Sequence, residues 1–259
     1  MAYAERALSS LLSPLVACTW AFSSPGHAHR VLPDGCIDVV VVGGRARVIG
    51  TMRRAIVVRA SQSAVLGIRL RPGEAARLFP EAPRELTDAD AALSELWHDD
   101  GRAFEDALVA LSARATRHRA PPVSILERAR DFVEQAMRKL LASHCEAVDL
   151  RVRAAASLLE RGHSVTDVAS RVDLSERQLA RRFAERVGMA PKAFARVRRL
   201  QCAARLLADG ASIASTASLA GYSDQAHFTR DSSELAGIAP VALARELAGV
   251  NATAIPVAL

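Results

Sequence analysis

The sequence has few of the residues that hold disulfide-rich or metal-bound domains together. Its four cysteines, Cys18, Cys36, Cys145 and Cys202, include no Cys-x-x-Cys pair, which disfavours a zinc ribbon and a disulfide framework. The His-Ala-His segment at 27–29 has no fourth metal ligand at a suitable spacing. We therefore expect small, buried apolar cysteines, no bound metal and no cofactor.

Long apolar runs are also absent. The longest, from Ile37 to Val42, is interrupted by Asp38 and is far shorter than the roughly 20 residues that a membrane helix needs. Near the first residue, Glu5 and Arg6 precede only a short apolar run that ends at Pro14, a pattern unlike a signal peptide. We therefore expect a cytoplasmic protein with no membrane partner.

Length and charge favour two domains and a polyanionic partner. A chain of 259 residues can bury two separate cores, and its net charge is +6 with a pI near 9.7. Residues 151–205 contain 13 arginines and lysines against 5 acids, a balance of +8, whereas residues 206–248 contain 2 against 5, or −3. We expect the basic segment to dominate attraction to phosphates.

A pattern of two short helices separated by a tight turn occurs twice near the C-terminal end. In the first copy, residues 164–187, apolar residues at helical spacing surround the turn, and Ser175 is a suitable N-cap for the second helix. The second copy, residues 212–236, follows 48 residues later, with Gly-Tyr-Ser at 221–223 in the turn and cap positions. Each copy predicts a helix-turn-helix unit.

The segment between the copies predicts one uninterrupted helix at about residues 191–208. Pro191 suits its first turn, and Gly210 lies just beyond its end. A helix of roughly 17 residues is about 25 Å long. We expect it to act as a rigid spacer between the two units.

This arrangement resembles the C-terminal DNA-binding domain of AraC/XylS-type transcription regulators. The residues that carry the resemblance are Gly-Tyr-Ser at 221–223, Phe-Thr-Arg at 228–230 and Gly-Ile-Ala-Pro at 237–240, together with the basic helix that joins the two units. The resemblance covers about the last hundred residues. It implies that the second helix of each unit enters a major groove, the two grooves lying about 34 Å apart on one face of double-stranded DNA. It also implies a contact with RNA polymerase.

The resemblance places the DNA contacts on the second helix of each unit. Arginine can bond to N7 and O6 of guanine and glutamine can pair with adenine, whereas alanine offers only apolar contact. A serine beside helix N-terminal amides suits a phosphate. The predicted DNA-contacting residues are Ser175, Arg177, Gln178, Ala180, Arg181 and Arg182 in the first unit and Ser223, Gln225, Ala226, Thr229 and Arg230 in the second.

Two features of the second unit depart from the family's pattern. Ser232 stands where the family usually has a phenylalanine, and the aromatic-arginine ending is replaced by Leu243-Ala244, with Arg245 one place late. Loss of a buried aromatic side chain costs about 3 kcal/mol or more when the site cannot collapse. We therefore expect the second unit to be less stable, or to bind DNA less tightly, than the first.

The sequence predicts an α+β fold with a separate N-terminal domain at 1–145 and an all-α DNA-binding domain at 146–259. Short runs rich in valine, isoleucine and aromatics predict a small antiparallel sheet or partial barrel, with Gly43-Gly44 as a hairpin turn. Helical segments follow, which we expect to pack on the sheet or to pair between subunits, and the apolar faces of the third favour a homodimer. The runs span 17–22, 36–42, 45–50, 55–59 and 64–71, and the helical segments 75–79, 104–115 and 125–141.

The N-terminal region is similar to an uncharacterised domain often found ahead of AraC-type domains. The similarity spans roughly residues 10 to 140 and rests mainly on 30–40, 67–73 and 93–97. It implies a sensor or oligomerisation module whose ligand the sequence does not identify.

Within this region, Pro-Asp-Gly at 33–35 predicts a turn that starts the next strand. Arg69 and Arg71 alternate on a predicted strand and should point the same way. They would then either clamp an anionic ligand or form structural ion pairs with Asp34 or Asp38.

Three functions are compatible with the sequence. The leading hypothesis is a sequence-specific DNA-binding transcription regulator, not an enzyme, that is modulated by a ligand or by oligomerisation through its N-terminal domain. The second is a DNA-alkyl acceptor built on Cys36, because some regulators of this family repair alkylated DNA; an acceptor must be a thiolate, and the neighbouring Asp34 and Asp38 would raise the pKa. The third is a non-catalytic interaction protein whose C-terminal domain has lost DNA binding, which Ser232 would favour.

Overall fold

A computed structural model describes residues 2–24, 28–42, 44–59, 61–79, 83–117, 121–143 and 147–248. Within these ranges the predicted α+β class is confirmed, with an antiparallel sheet in the N-terminal region and only helices after residue 147. Gly43, His27 and Cys145, which enter the hairpin, metal and cysteine predictions, lie outside the described residues.

The described part of the N-terminal region contains a six-stranded antiparallel sheet with the order β1-β2-β7-β4-β5-β8, and a separate antiparallel pair, β3 and β6. The five predicted runs correspond to β2, β4, β5, β6 and β7. The other three strands were not predicted, because they lack the runs of valine and isoleucine on which the prediction rests. The strands are β1 (Ala2–Arg6), β2 (Val16–Ser24), β3 (His29–Val31), β4 (Ile37–Val42), β5 (Arg45–Ile49), β6 (Ile56–Val58), β7 (Ser61–Leu70) and β8 (Asp90–Ala92).

Two long helices, α1 (Leu93–Arg117) and α2 (Pro122–Ser143), pack on this sheet. The helix predicted at 75–79 is only a 3-10 turn at Ala75–Arg77. In α2, the apolar side chains spaced three and four residues apart, from Ile125 to Met137, are buried in the same core as the sheet. The apolar face that favoured a homodimer is therefore covered within the subunit.

The C-terminal region consists of seven α-helices in its described residues, and the predicted spacer coincides with α6. The first of these helices, α3, was not predicted. Its apolar stripe of Val152, Ala155, Ala156 and Leu159 follows helical spacing, so the signal was present in the sequence. The helices are α3 (Leu150–Glu160), α4 (Val165–Arg171), α5 (Glu176–Val187), α6 (Pro191–Ala208), α7 (Ile213–Leu219), α8 (Gln225–Asp231) and α9 (Pro240–Leu247), and a π-helical turn at Ser232–Ala236 follows α8.

Two hydrophobic clusters meet along α6. Its first half supplies Phe194 and Val197 to the cluster of α3, α4 and α5, where Phe194 packs edge-on against Phe183 with ring centroids 5.3 Å apart. Its second half supplies Leu200 and neighbouring side chains to the cluster of α7, α8 and α9. α6 therefore contributes side chains to the hydrophobic cores of both helix-turn-helix units.

Candidate DNA-binding surface

The two units repeat the same turn geometry. Asp173 and Gly221 are equivalent residues, 48 apart, and both have left-handed backbones, with φ of 54° and 80°. Glycine adopts this conformation freely, and aspartate is among the few other residues that tolerate it. The N-caps of the preceding helices, Ser164 and Ser212, also correspond, and the hydroxyl of each accepts a hydrogen bond from a backbone amide at 3.1 Å.

In the first unit, Ser175 caps α5 as predicted. Its hydroxyl accepts a hydrogen bond from the Gln178 amide at 3.2 Å, and the Gln178 side-chain oxygen accepts one from the Ser175 amide at 2.9 Å. The Gln178 side chain is thus engaged at the start of the helix. We expect it to support the helix end rather than to contact a base.

In the second unit, the predicted cap at Ser223 is wrong, because Asp224 caps α8. The Asp224 carboxylate accepts a hydrogen bond from the His227 amide at 2.6 Å, and the Ser223 hydroxyl donates to the same carboxylate at 3.2 Å. The His227 amide lowers the pKa of Asp224 below its usual value. An ionised carboxylate therefore occupies the helix N-terminus where the resemblance would place a phosphate.

The second helix of each unit, α5 in the first and α8 in the second, is termed its recognition helix. Both recognition helices expose the face predicted to contact DNA. On α5, Leu179 and Phe183 are buried against the unit's core, and on α8 Phe228 is buried. Thr229 is half-buried, and its hydroxyl donates to the Gln225 carbonyl at 2.8 Å. The exposed residues among those predicted are Ser175, Arg177, Gln178, Ala180, Arg181, Ser223, Gln225, Ala226 and Arg230.

Several basic residues of the C-terminal region hold helices together and do not add to this surface. Arg182, predicted to contact DNA, is half-buried and pairs with Asp149 at 3.5 Å. On α6, Arg196 pairs with Asp231 at 2.8 Å and with Glu234 at 2.6 Å. These acids lie outside residues 151–205, so the balance of +8 counted for that segment overstates the positive charge that is available to bind a duplex.

The predicted ligand residues of the N-terminal domain lie at two different sites in the structure. The buried Arg69 guanidinium lies 3.2 Å from an Asp34 oxygen and 3.0 Å from an Asp38 oxygen. Arg71 follows the end of β7, and its Nε donates to the Ser13 carbonyl at 2.6 Å, so the expectation that it points with Arg69 is wrong. Of the two alternatives, the geometry favours structural ion pairs over an anion clamp.

The environment of Cys36 opposes its use as an alkyl acceptor. The residue is buried, and burial, reinforced by the charge of Asp34, raises the pKa of its thiol well above the usual value. Burial also raises the pKa of Cys18, to about 12. Both groups are therefore thiols, not thiolates, at neutral pH.

Iodoacetamide should accordingly label the exposed Cys202 of the folded protein and leave Cys36 unmodified. Peptide mass mapping at pH 7.5, before and after denaturation, measures this difference. In denaturant Cys36 should be labelled as well, which controls for peptide recovery. Rapid labelling of Cys36 in the folded state would revive the acceptor hypothesis.

Within the ranges given above, no group of three or more histidine, cysteine, aspartate and glutamate side chains is arranged to hold a metal. His29 packs on the Phe22 ring with centroids 4.3 Å apart, and burial lowers its pKa. No helix in the described segments combines the length and apolarity required to cross a membrane.

Comparison with known proteins identifies a family for part of each domain. Residues 168–246 match the family model of a helix-turn-helix domain, and residues 7–92 match that of a domain of unknown function, DUF6597. Both resemblances stated from the sequence are thereby confirmed. No curated protein matches this chain.

Solved structures of transcription regulators are also similar to this chain. A regulator with an AraC-type DNA-binding domain from Chromobacterium violaceum is 28% identical over 39% of this chain and 95% of its own, with a TM-score of 0.36. Two structures of ToxT from Vibrio cholerae are 9% and 12% identical. They cover 95% and 90% of this chain and 99% and 98% of their own, with TM-scores of 0.45 and 0.46. The helix-turn-helix match, not these distant likenesses, carries the assignment of the C-terminal domain.

Proposed function

We propose that this protein, which carries an AraC-type helix-turn-helix domain behind an N-terminal domain of unknown function, is a sequence-specific DNA-binding transcription regulator. The observation that carries the proposal is the repeated pair of units on one 18-residue helix, each with an exposed polar face on its second helix. A solvent-exposed arginine is commonplace, but its equivalent placement in two such units is typical of DNA recognition.

The two recognition helices have different roles in this proposal. On α5, Arg177 and Arg181 bond to guanine edges, and Ser175 with the first amides of the helix contacts a phosphate. On α8, Gln225 and Arg230 contact bases, but Asp224 opposes a phosphate at the helix N-terminus. The first unit therefore anchors the complex and the second adds sequence selectivity.

Selection of binding sites from random duplex DNA with the full chain tests the proposal. We expect a site with two preferred blocks about one helical turn, roughly 10 base pairs, apart, bound with an affinity that falls as salt rises. The control is the same duplex with both blocks scrambled. Equal and weak affinity for the selected and scrambled duplexes would favour the non-catalytic interaction protein.

The N-terminal domain, residues 1–145, then regulates the C-terminal domain, residues 146–259, in response to a small molecule or to oligomerisation. The support is physical contact: Glu74 of the first pairs with Arg153 of the second at 2.7 Å. We further propose that the DNA-bound protein contacts RNA polymerase and acts in the cytoplasm. Site selection with and without candidate metabolites, with molecular mass measured in the same samples, separates ligand control from oligomerisation.

Replacing Asp224 with asparagine should strengthen DNA binding several-fold. Asparagine is as good an N-cap as aspartate, so α8 keeps its start while the charge that repels the nearest phosphate is removed. Fluorescence anisotropy on the selected duplex at two salt concentrations measures the effect, which should shrink at the higher one. Asp209→Asn, an exposed acid beyond the end of α6, is the matched control and should leave affinity unchanged.

A further inference from the structure

Residues 30–36, here termed the clasp segment, have a role that the sequence did not reveal. From the sequence, the Pro-Asp-Gly turn within them is predicted only to start a strand. In the structure the clasp segment comprises the last two residues of β3 and the connection to β4, and it contacts the C-terminal domain along α6, the helix shared by the two helix-turn-helix units.

Three consecutive residues of the clasp segment contact α6. The Pro33 carbonyl accepts a hydrogen bond from the fully buried Gln201 side chain at 2.7 Å. The Asp34 carbonyl accepts one from Arg198 at 3.2 Å. Gly35 lies against the ring of Phe194 so closely that a Cβ at this position would come within 2.5 Å of a ring carbon.

The clasp segment touches both units. Phe194 belongs to the core of the first unit. Leu32, only 4% exposed, belongs to the hydrophobic cluster of the second unit, although it lies in the N-terminal domain. Arg30 donates to the Ala236 carbonyl at 2.8 Å and pairs with Glu246 at 2.9 Å. The second unit therefore completes its packing with a side chain from the other domain.

The clasp segment is itself firmly fixed to the N-terminal domain. The Asp34 carboxylate accepts a hydrogen bond from the Cys36 amide at 2.8 Å and pairs with the buried Arg69 on β7. A displacement of the sheet near Arg69 would thus move the residues that contact α6.

Other contacts attach each unit to the N-terminal domain independently of the clasp segment. Beside the first unit, Arg153 on α3 pairs with Glu74, and the carbonyl of Gly188, just after α5, accepts a hydrogen bond from the Thr87 hydroxyl. In the second unit, the Leu235 carbonyl accepts a hydrogen bond from the Ala55 amide at 2.7 Å. The exposed faces of α5 and α8 stay uncovered in this docked arrangement.

We propose that the clasp segment fixes the orientation of the two helix-turn-helix units, so that both bind one duplex only while it is docked on α6. The inference rests on the proposed function and adds to it the element through which the N-terminal domain controls DNA binding. Because the docked state leaves both recognition faces accessible, docking promotes binding and does not occlude the DNA.

The test compares Gly35→Ala with Gly44→Ala in the full chain. Both glycines have positive φ, 79° and 76°, so both substitutions strain the backbone alike, but a Cβ at Gly44 meets nothing within 4 Å. Affinity is measured for the selected duplex and for duplexes with one block scrambled. For Gly35→Ala we expect at least a tenfold loss on the intact duplex and unchanged affinity for the single blocks. Gly44→Ala should bind all three duplexes with the affinity of the wild type.

Unchanged or tighter binding of Gly35→Ala to the intact duplex would overturn the proposal. If Gly35→Ala unfolds, Gln201→Leu takes its place, because it removes the donor to the Pro33 carbonyl without changing the turn. We expect a smaller loss of affinity that is confined to the intact duplex. No loss of affinity, or an equal loss on the duplexes with one block scrambled, overturns the proposal. Hydrogen exchange of α6 amides needs no DNA. Faster exchange in Gly35→Ala than in Gly44→Ala supports the clasp even if the wild type selects no site, and equal exchange contradicts it.

Discussion

Replacing Arg177 and Arg181 together with alanine should weaken binding to the selected duplex about a hundredfold. Each bidentate contact from arginine to guanine contributes roughly 1–3 kcal/mol of discrimination, and each 1.4 kcal/mol is about tenfold in affinity. Both side chains are exposed on α5, so their removal should leave the core of the first unit intact. Anisotropy titrations of the selected duplex, and of duplexes altered in one block, measure the loss.

The matched control is Arg114→Ala with Arg128→Ala, which removes the same charge from exposed positions on α1 and α2. It should change affinity by less than about threefold, mainly through the general attraction to phosphates. The α5 double variant should also lose preference at the block that α5 contacts. An equal loss in both double variants would mean that α5 contributes only charge, and the assignment of base contacts would be wrong.

Replacing Arg69 with leucine should destabilise the protein by about 3–5 kcal/mol. Removing one partner of a buried ion pair leaves the other charges without compensation, and this typically costs that much. Asp34 would stay buried, and Asp38, whose side chain is 16% exposed, would keep among the partners described here only its hydrogen bond from the Trp20 indole at 3.2 Å. Urea unfolding followed by circular dichroism measures the change.

The cost of Arg69→Leu should depend on pH. Burial already raises the pKa of Asp38, and Arg69 opposes that rise, so its removal should raise this pKa further. A carboxyl whose folded pKa lies above its unfolded value destabilises the fold once it ionises. The deficit relative to wild type should therefore be smaller near pH 5 and grow as the pH increases through the raised pKa of the folded variant.

Arg59→Leu supplies the control, because Arg59 is exposed beyond β6 and surface substitutions usually change stability by less than about 0.5 kcal/mol. If Arg69→Leu proves as stable as this control at neutral pH, the three charged groups contribute no net stability in the folded state. The anchoring of the clasp segment through Asp34 would then need another source.

The sequence predicted those parts of the C-terminal region that local signals determine. A proline at the start and a glycine beyond the end correctly predicted the bounds of α6, and Ser175 correctly predicted the start of α5. The cap of α8 was misplaced because Ser223 and Asp224 are adjacent and either can cap a helix. Only the backbone shows which one faces the His227 amide.

Contacts between distant residues were beyond such reasoning. The separation of Arg69 from Arg71 depends on where β7 ends and on the proximity of Ser13. Nothing local indicates that Gly35 faces Phe194 or that Leu32 joins another domain's core, since these pairs are brought together only by the tertiary fold. The DNA-contacting set remains a prediction, and among its members Gln178 and Arg182 already have structural partners.

The exposed faces of α5 and α8 have a consequence for how such a protein can diversify. Side chains that reach outward from a helix whose opposite side is packed can be exchanged with little penalty in folding. Single substitutions at positions such as Ala180 and Ala226 can therefore change which DNA sequence is preferred. A change of the spacing between the two blocks would instead require a different α6 and different residues in every segment that packs against it.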